Sequence, residues 1–413
     1  MSAIKSDTPQ PAAPSITFNP LSPEFIRDPY PFFHQLRTMA PLFKTPMGFY
    51  LASRNEDVAL ILRDKRFGKN FLGNMERRGG LDALKEPVYA SVRHWMLVAD
   101  PPDHTRLRGL VVKAFTARRV EDMRPRIQAI VDETIDRIAD RGRMDLIRDF
   151  AYRLPVTVIC EMLGIPDADR EQFLDNPGVG GRLLDPVPLS RAEIDAANEN
   201  NLKQAAYFRG LFELRRREPG DDLTTQLVQA EEEGNKLTEE ELTANIMLLF
   251  GAGHETTVNL IGNGLLALHR NPDQLDRLKR DPALIHSAIE EFLRYDSSVQ
   301  LTGRSALEDV ELSGVTIRKG ETVLSLLGAA NRDPAAYPDP DRLDIARPNV
   351  RPHSFGGGIH FCLGAQLARL EGEIAINTLL ARLPDLVLDD AENPDWRPTF
   401  VLRGLKSLPA HWG

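Results

Sequence analysis

The sequence predicts a mainly α-helical chain with a small β-rich lobe, built around one long central helix. Three observations carry this. Apolar residues recur at helical spacing through most of residues 121–222 and again from 238 to about 270, where Asn271-Pro272 stops the pattern. Strand-like alternation is confined to short pieces, the clearest at residues 41–53, read as two strands joined at Met47-Gly48. A glycine-rich loop, Ser354-Phe-Gly-Gly-Gly-Ile-His-Phe-Cys-Leu-Gly-Ala-Gln-Leu-Ala-Arg369, delivers one cysteine to the start of a further helix.

Composition narrows the class. With 42% apolar and 27% charged residues the chain is able to bury an ordinary core, and a formal net charge of −9 argues against nucleic acid as a partner. Cys160 and Cys362 are the only cysteines, which excludes a disulfide framework and suits a reducing compartment. Cys160, in Val-Thr-Val-Ile-Cys-Glu, reads as a small buried hydrophobe. Residues 1–15 read as a disordered tail without a signal peptide, and no run approaches 18 apolar residues, so no membrane contact is expected and a cytoplasmic location is. Residues 16–413 are expected to form a single domain, because the motifs between about 100 and 370 serve one site.

In chain order, a short helix is expected after Asp28 and another at residues 56–63. Residues 67–98 show little periodicity and include Arg77-Arg78 and Arg93-His94, the pattern of a loop. The proline stop at Pro101-Pro102 precedes a helix on which His104 and Arg108, four apart, share a face; Arg106 should face elsewhere. Lys113, Arg118 and Arg119 follow, a basic group that an acidic protein could use. Residues 176–188 interrupt the helical pattern with glycines and prolines and read as a mobile lid.

Thr238-Glu-Glu-Glu is a capping box, and the roughly 30 residues that follow make a helix about 45 Å long. From 246 to 268 only His254 and Glu255 are able to carry charge, so the helix is expected to be buried. In Ala252-Gly253-His254-Glu255-Thr256-Thr257, Gly253 is expected to loosen the helix and the Thr256 hydroxyl to reach the Ala252 carbonyl, giving a bent groove able to relay protons. Further on, Glu291 and Arg294 lie three apart on one helix face.

In the cysteine loop, glycines 356–358 permit positive φ and close approach to a flat ligand. Backbone N–H groups there, with positive charge from His360 and Arg369, are expected to lower the Cys362 pKa and favour the thiolate.

The run Phe355-x-x-Gly-x-His360-x-Cys362-x-Gly364-x-x-x-Ala368-Arg369 resembles the haem-binding loop of the cytochrome P-450 family, haem-thiolate monooxygenases. The resemblance extends from residue 28 to the end. It implies a triangular, mainly helical fold with the long helix crossing the haem. It further implies Cys362 as the axial thiolate of haem b, with Phe355, Gly364 and Ala252 beside the cofactor. His104, Arg108, Arg304 and His360 match propionate-binding positions. Glu255 and Thr256 match the family's acid-alcohol pair, which delivers protons during the reductive activation of O2. Glu291, Arg294 and Arg342 match a structural network that braces the cysteine loop. Substrate is expected to touch Leu248, Val299, Gln300, Leu301 and Phe400, with Gln300 the polar group inside the pocket. With no reductase after Gly413, electrons are expected from an iron–sulfur ferredoxin and its NAD(P)H-dependent reductase, to a monomer that hydroxylates a small, mainly apolar molecule.

Two rivals stand beside this. One is a same-fold haem protein without monooxygenase turnover, such as a peroxide user or an isomerase, against which the Glu255-Thr256 pair speaks. The other is a haem-free cysteine nucleophile, for which Cys362 lacks an evident base.

Overall fold

A computed structural model describes residues 16, 18–79, 81–174, 180–232 and 237–413 of the chain. The tail expected at 1–15 and residues 175–179 of the expected lid lie outside the described residues.

The β-rich lobe is a five-stranded sheet of β1 (Leu42–Lys44), β2 (Tyr50–Ala52), β3 (Phe67–Gly68), β4 (Leu301–Ala306) and β5 (Thr322–Leu326), in the spatial order β1-β2-β5-β4-β3. β2 and β5 run parallel, Tyr50 opposite Val323, and the other pairs are antiparallel. Two distant parts of the chain are thereby sewn together, which places β4, and Arg304 on it, beside residues 67–69. A two-stranded unit, β6 (Asp395–Trp396) with β7 (Leu405–Ser407), lies near the C-terminus.

Residues 67–98 are not a loop. Helical turns cover Phe71–Gly79, Leu81–Lys85 and Pro87–Val92. Each is too short for a helical period to show in sequence, and the third is held from outside: Val88 and Val92 bury against Ala197, and the Val88 N–H donates to Asn198 at 3.0 Å. The helix after Pro102 is α1 (Asp103–Val111); Ala197 and Asn198 lie on α2 (Arg191–Arg217).

The central helix α3 (Glu239–Arg270) has 32 residues, about 48 Å at 1.5 Å per residue. It starts where the capping box predicts: Thr238 Oγ accepts the Glu241 N–H and the Glu241 carboxylate accepts the Thr238 N–H. Glu241 also takes both ends of the Arg106 guanidinium, at 2.5 and 2.9 Å, which ties α1 to the head of α3. The helix runs unbroken through Gly253. A Cβ there would lie 2.9 Å from Ile159, so this glycine serves close helix packing and not the expected loosening. Cys160 is fully buried, and burial pushes its thiol up to about 12, consistent with a small core residue.

α4 (Ile285–Tyr295) carries the buried ion pair. Arg294 and Glu291 are both 0% exposed and bonded at 2.7 and 2.8 Å, a bidentate fork. The second guanidinium is not that of Arg342, whose side chain is 65% exposed and pairs with Asp344. It is that of Arg347, 3.2 Å from Glu291; Arg342 contributes only its backbone carbonyl, to Arg294 and Arg347. The turn through Asp344 determines this, since its N–H also donates to Glu291 at 2.9 Å.

Arg294→Leu, which removes the bidentate partner of buried Glu291 and leaves it only Arg347 and the Asp344 N–H, should cost about 3–5 kcal/mol in denaturant unfolding. Arg342→Ala should stay within about 0.5 kcal/mol, a contrast that checks which arginine belongs to the network.

Candidate active site

The cysteine loop lies between two turns of 3₁₀ helix and α5 (Ala365–Arg382). Gly356 and Gly358 have φ of 69° and 63°, as the sequence requires of them. What crowds Gly358 is protein: a Cβ would stand 2.3 Å from the Leu62 carbonyl, so the glycines serve the packing of the loop on helix Asn55–Arg63. The Cys362 N–H donates to the Phe355 carbonyl at 2.9 Å, which closes the loop, and the Gly364 N–H donates to the sulfur. The Arg369 guanidinium lies 4.5 Å over the Phe355 ring and pairs with Glu290.

Cys362 keeps open surface, as do Ile359 and Phe361 around it. Dense surrounding protein nonetheless pushes its thiol up; the Gly364 N–H and Arg369 pull it down, as expected of them, and so does Arg108, but burial outweighs all three. His360 adds no positive charge. Burial, then Lys69, Arg304, His104 and Arg108, hold its imidazole neutral, down to about 2.

Three of those four are the other propionate candidates, and the fourth, Lys69, is one that sequence reading missed. His104 and His360 rings lie 4.3 Å apart. Arg304 is 3% exposed and burial depresses it to about 10. Lys69, which follows β3, donates to Thr302 Oγ1 and the Gly303 carbonyl at 3.4 and 3.3 Å, and burial beside Arg304 drives its pKa far down. Arg108 donates to the Phe361 carbonyl at 2.6 Å, close to Cys362. The carboxylate that offsets these cations is Asp100, which also accepts the Lys69 and Asn70 N–H groups. His360 Nε2 is buried and has no partner among the described residues. An excess of buried donors and cations over carboxylates is the fit expected for a group bearing two carboxylates, such as haem. Lys69 has no sequence signature because the sheet, not local spacing, brings it to Arg304.

Along α3, residues 242–250, 254 and 257–268 are buried, whereas 251–253, 255 and 256 are not, and Ala252 is exposed. The helix therefore opens at the expected acid-alcohol stretch. Thr256 Oγ1 donates to the Ala252 carbonyl at 3.3 Å, as predicted. Glu255 is only 16% exposed; burial raises its pKa, and Arg397 Nη1, 3.6 Å away, works against that.

The expected substrate contacts do not gather on one face. Gln300 is turned into the protein: its amide donates to the Ser297 carbonyl at 2.7 Å and to Tyr30 at 3.4 Å, with Gly328 packed against it. Phe400 is buried in an aromatic cluster, 5.2 Å from Phe25 and 5.5 Å from Phe18, and Leu301 packs in that same core. Leu248 is a core residue of α3. Val299 stays partly open, bridged to Leu402. These strand and C-terminal residues read as apolar lining in sequence, but pairing with the N-terminal helices claims their side chains.

Glu371 on α5 was also missed. It is 1% exposed, neither carboxyl oxygen has a hydrogen-bond partner among the described residues, and burial raises its pKa to about 8 against a lowering by the Thr257 hydroxyl. Its phase with Leu367, Leu370 and Ile374, all buried, was the available signal.

A glycine-rich cysteine loop beside a cationic cluster, together with a long helix opened at residues 251–256, is the arrangement expected of a haem-thiolate protein. The family model for cytochrome P450 matches residues 200–283 and 281–406. Cytochrome P450 107B1 of Saccharopolyspora erythraea is 47% identical over 378 residues, 88% of this chain and 89% of its own length. The vitamin D(3) 25-hydroxylase of Pseudonocardia autotrophica is 44% identical over 397 residues, covering 94% and 95%. The structure of P450BioI with hexadec-9Z-enoic acid ligated acyl carrier protein superposes with a TM-score of 0.87 at 39% identity, covering 94% of this chain and 99% of that one. The chain belongs to the cytochrome P450 family, and its activity class is that of a P450-type monooxygenase.

Lys69→Met and Arg304→Leu should each weaken haem retention. The haem-to-protein ratio after gel filtration measures this, and each variant should lose more than Lys113→Ala, a change at an exposed site.

Glu371 is a second case. Its folded pKa, about 8, lies above the ordinary value of 4.5. The stability it contributes is therefore full below pH 4.5 and is lost as pH rises through about 8. Glu371→Gln should be more stable than the parent at pH 7–8, by up to about 3 kcal/mol, with the difference vanishing near pH 4.5. Thermal unfolding across that range measures it.

Proposed function

We propose that residues 16–413 form one haem-thiolate domain that inserts one oxygen atom from O2 into a small, mainly apolar organic molecule, with two electrons supplied from outside. The observation that carries this reading is the Glu255-Thr256 pair at the interior stretch where α3, buried on either side, is open. Cys362 is the thiolate ligand of haem b, Phe355 and Gly364 shape its loop, and His104, Arg108, Lys69, Arg304 and His360 hold the propionate edge. Bound haem supplies the activation of O2.

The protein's part is proton handling and positioning. Burial and Arg397 pull the Glu255 carboxyl in opposite directions. It is thus suited to take a proton from the solvent side at a carboxyl oxygen and pass it toward the Thr256 hydroxyl. That hydroxyl, already donating to Ala252, is held in one orientation. Ala252, Thr256 and Val299 offer open surface for substrate.

Electrons come from a ferredoxin with an NAD(P)H-dependent reductase. Lys113, Arg118 and Arg119 are exposed on one short stretch and suit an acidic donor. Action as a monomer in the cytoplasm is part of the same proposal; among the described residues no helix is long and apolar enough to cross a membrane.

With a surrogate ferredoxin and reductase, Thr256→Ala should raise hydrogen peroxide released per NAD(P)H several-fold while the thiolate-type carbon monoxide spectrum is retained. Unchanged coupling would remove Thr256 from the proton path.

A further inference from the structure

Glu255, Asn259 and Asn263 follow each other at intervals of four, so they stack on one side of α3. That side meets the segment leading into β7. The Asn263 amide donates to the Arg403 carbonyl at 3.1 Å and reaches the Asp296 carbonyl at 3.4 Å. Asn259 lies so close to Gly404 that a Cβ there would stand 1.9 Å from its Oδ1. The Arg403 N–H donates to the Ser298 carbonyl at 2.8 Å, and its guanidinium lies 3.6 Å over the Trp396 ring. Residues 403–404 thus gather Asn259, Asn263, Ser298 and Trp396 into one seam between α3 and the C-terminal hairpin.

The polar atoms of this seam are unsatisfied. Asn259 Nδ2 and Oδ1, Asn263 Oδ1, Ser298 Oγ and Trp396 Nε1 have no hydrogen-bond partner among the described residues. Their residues are 1%, 2%, 5% and 6% exposed. A buried polar group left unpaired costs about 1–3 kcal/mol, and native proteins tolerate few. Both donors and acceptors are among these atoms, and a buried water makes about three hydrogen bonds of both kinds, so water is the ligand this chemistry fits.

The seam has two charged ends. At the inner end Arg397 is fixed by its own hairpin, Nε donating to the Leu405 carbonyl at 3.2 Å and its N–H to the Gly404 carbonyl at 2.9 Å. From there Nη1 faces the Glu255 carboxylate at 3.6 Å. At the outer end Asp296, 13% exposed, accepts from Arg403 Nε and the Tyr30 hydroxyl, both at 2.8 Å.

We propose that ordered water occupies this seam and that the protons handed on by Glu255 arrive along it, with Arg397 as the positioning residue that keeps the carboxylate turned to the seam's inner end. This rests on the relay reading of Glu255 and Thr256. Besides Arg397, the titratable groups around Glu255 are Asp185, from the segment that binds the Phe400 and Val401 N–H groups, Tyr152, and neutral His254 beside it on α3. Arg397 favours the charged form and Asp185 the protonated one. A single guanidinium contact at 3.6 Å holds the carboxylate at the seam's inner end without pinning both oxygens.

Two measurements test this. A high-resolution crystal structure of the haem-loaded protein should show water bonded to Asn259, Asn263, Ser298 and Trp396 Nε1. A dry seam whose polar atoms turn to protein partners overturns the proposal, and this result is decisive even where a variant fails to fold. Peroxide release per NAD(P)H is then followed against pH with a surrogate ferredoxin and reductase, each protein first checked by its carbon monoxide spectrum. Asn259→Leu and Arg397→Leu should raise release roughly three- to tenfold and displace the pH profile, because a hindered proton supply is milder than a lost acid–base group at about 10²–10⁴. Arg397→Lys should restore the parental profile, which a purely structural role of Arg397 would not produce. Parental profiles in both leucine variants, with Glu255→Gln still uncoupled, overturn the seam and leave the relay standing. Unchanged coupling in Glu255→Gln overturns the relay reading and the seam with it.

Discussion

The fully buried pairing of Glu291 with Arg294 is the constraint on which the cysteine loop depends. Two charges out of water are tolerable only when every donor and acceptor is used, and here they are. Arg294 spends its remaining N–H groups on the carbonyls of Asn331, Pro340 and Arg342, and Glu291 takes Arg347 and the Asp344 N–H. Asn331 passes the constraint on, donating to Ser354 Oγ at 2.9 Å and accepting the His353 N–H at 2.7 Å. Ser354 in turn donates back to Leu293 on α4 at 2.6 Å. A rigid frame thus ends one residue before Phe355, whose carbonyl closes the loop on the Cys362 N–H.

A second organising principle is electrostatic imbalance. The lobe that carries Lys69 and Arg304 meets α1, with His104 and Arg108, at a place where Asp100 is the offsetting carboxylate. Stability alone does not favour such an arrangement, since burial depresses every one of those basic groups. Binding of a dianionic edge, as proposed for haem, would offset that cost. The Glu255 site works on the opposite plan: burial, with Asp185, raises the pKa of one carboxyl, and Arg397 opposes them.

Local chemistry made much of this legible. A capping box and a proline stop bound α3 to within a residue, and a glycine-rich run with one cysteine marked the positive-φ cysteine loop, because such features are short-range and need few residues. Matching positions in the family led to Glu255, Thr256, His104, Arg108, Arg304 and His360. The short helices at 71–92 were not legible, since each has too few turns to display a period and depends on α2 for burial. Arg342 was taken for Arg347 because both follow the same aspartate-rich turn, and only the path of the backbone decides which guanidinium enters.

By itself, then, the sequence determined the helical class, the bounds of the central helix, the cysteine and the acid-alcohol pair, all of which rest on interactions spanning a few residues. Tertiary structure alone decided what lies beside them. Lys69 reaches Arg304 because β3 pairs with β4 across more than two hundred residues, and Arg397 reaches Glu255 because a C-terminal hairpin folds onto the middle of α3. Gln300 and Phe400 turn inward because helices near the N-terminus cover them. Those contacts join segments remote in the chain, and no local periodicity encodes which of many similar side chains will meet.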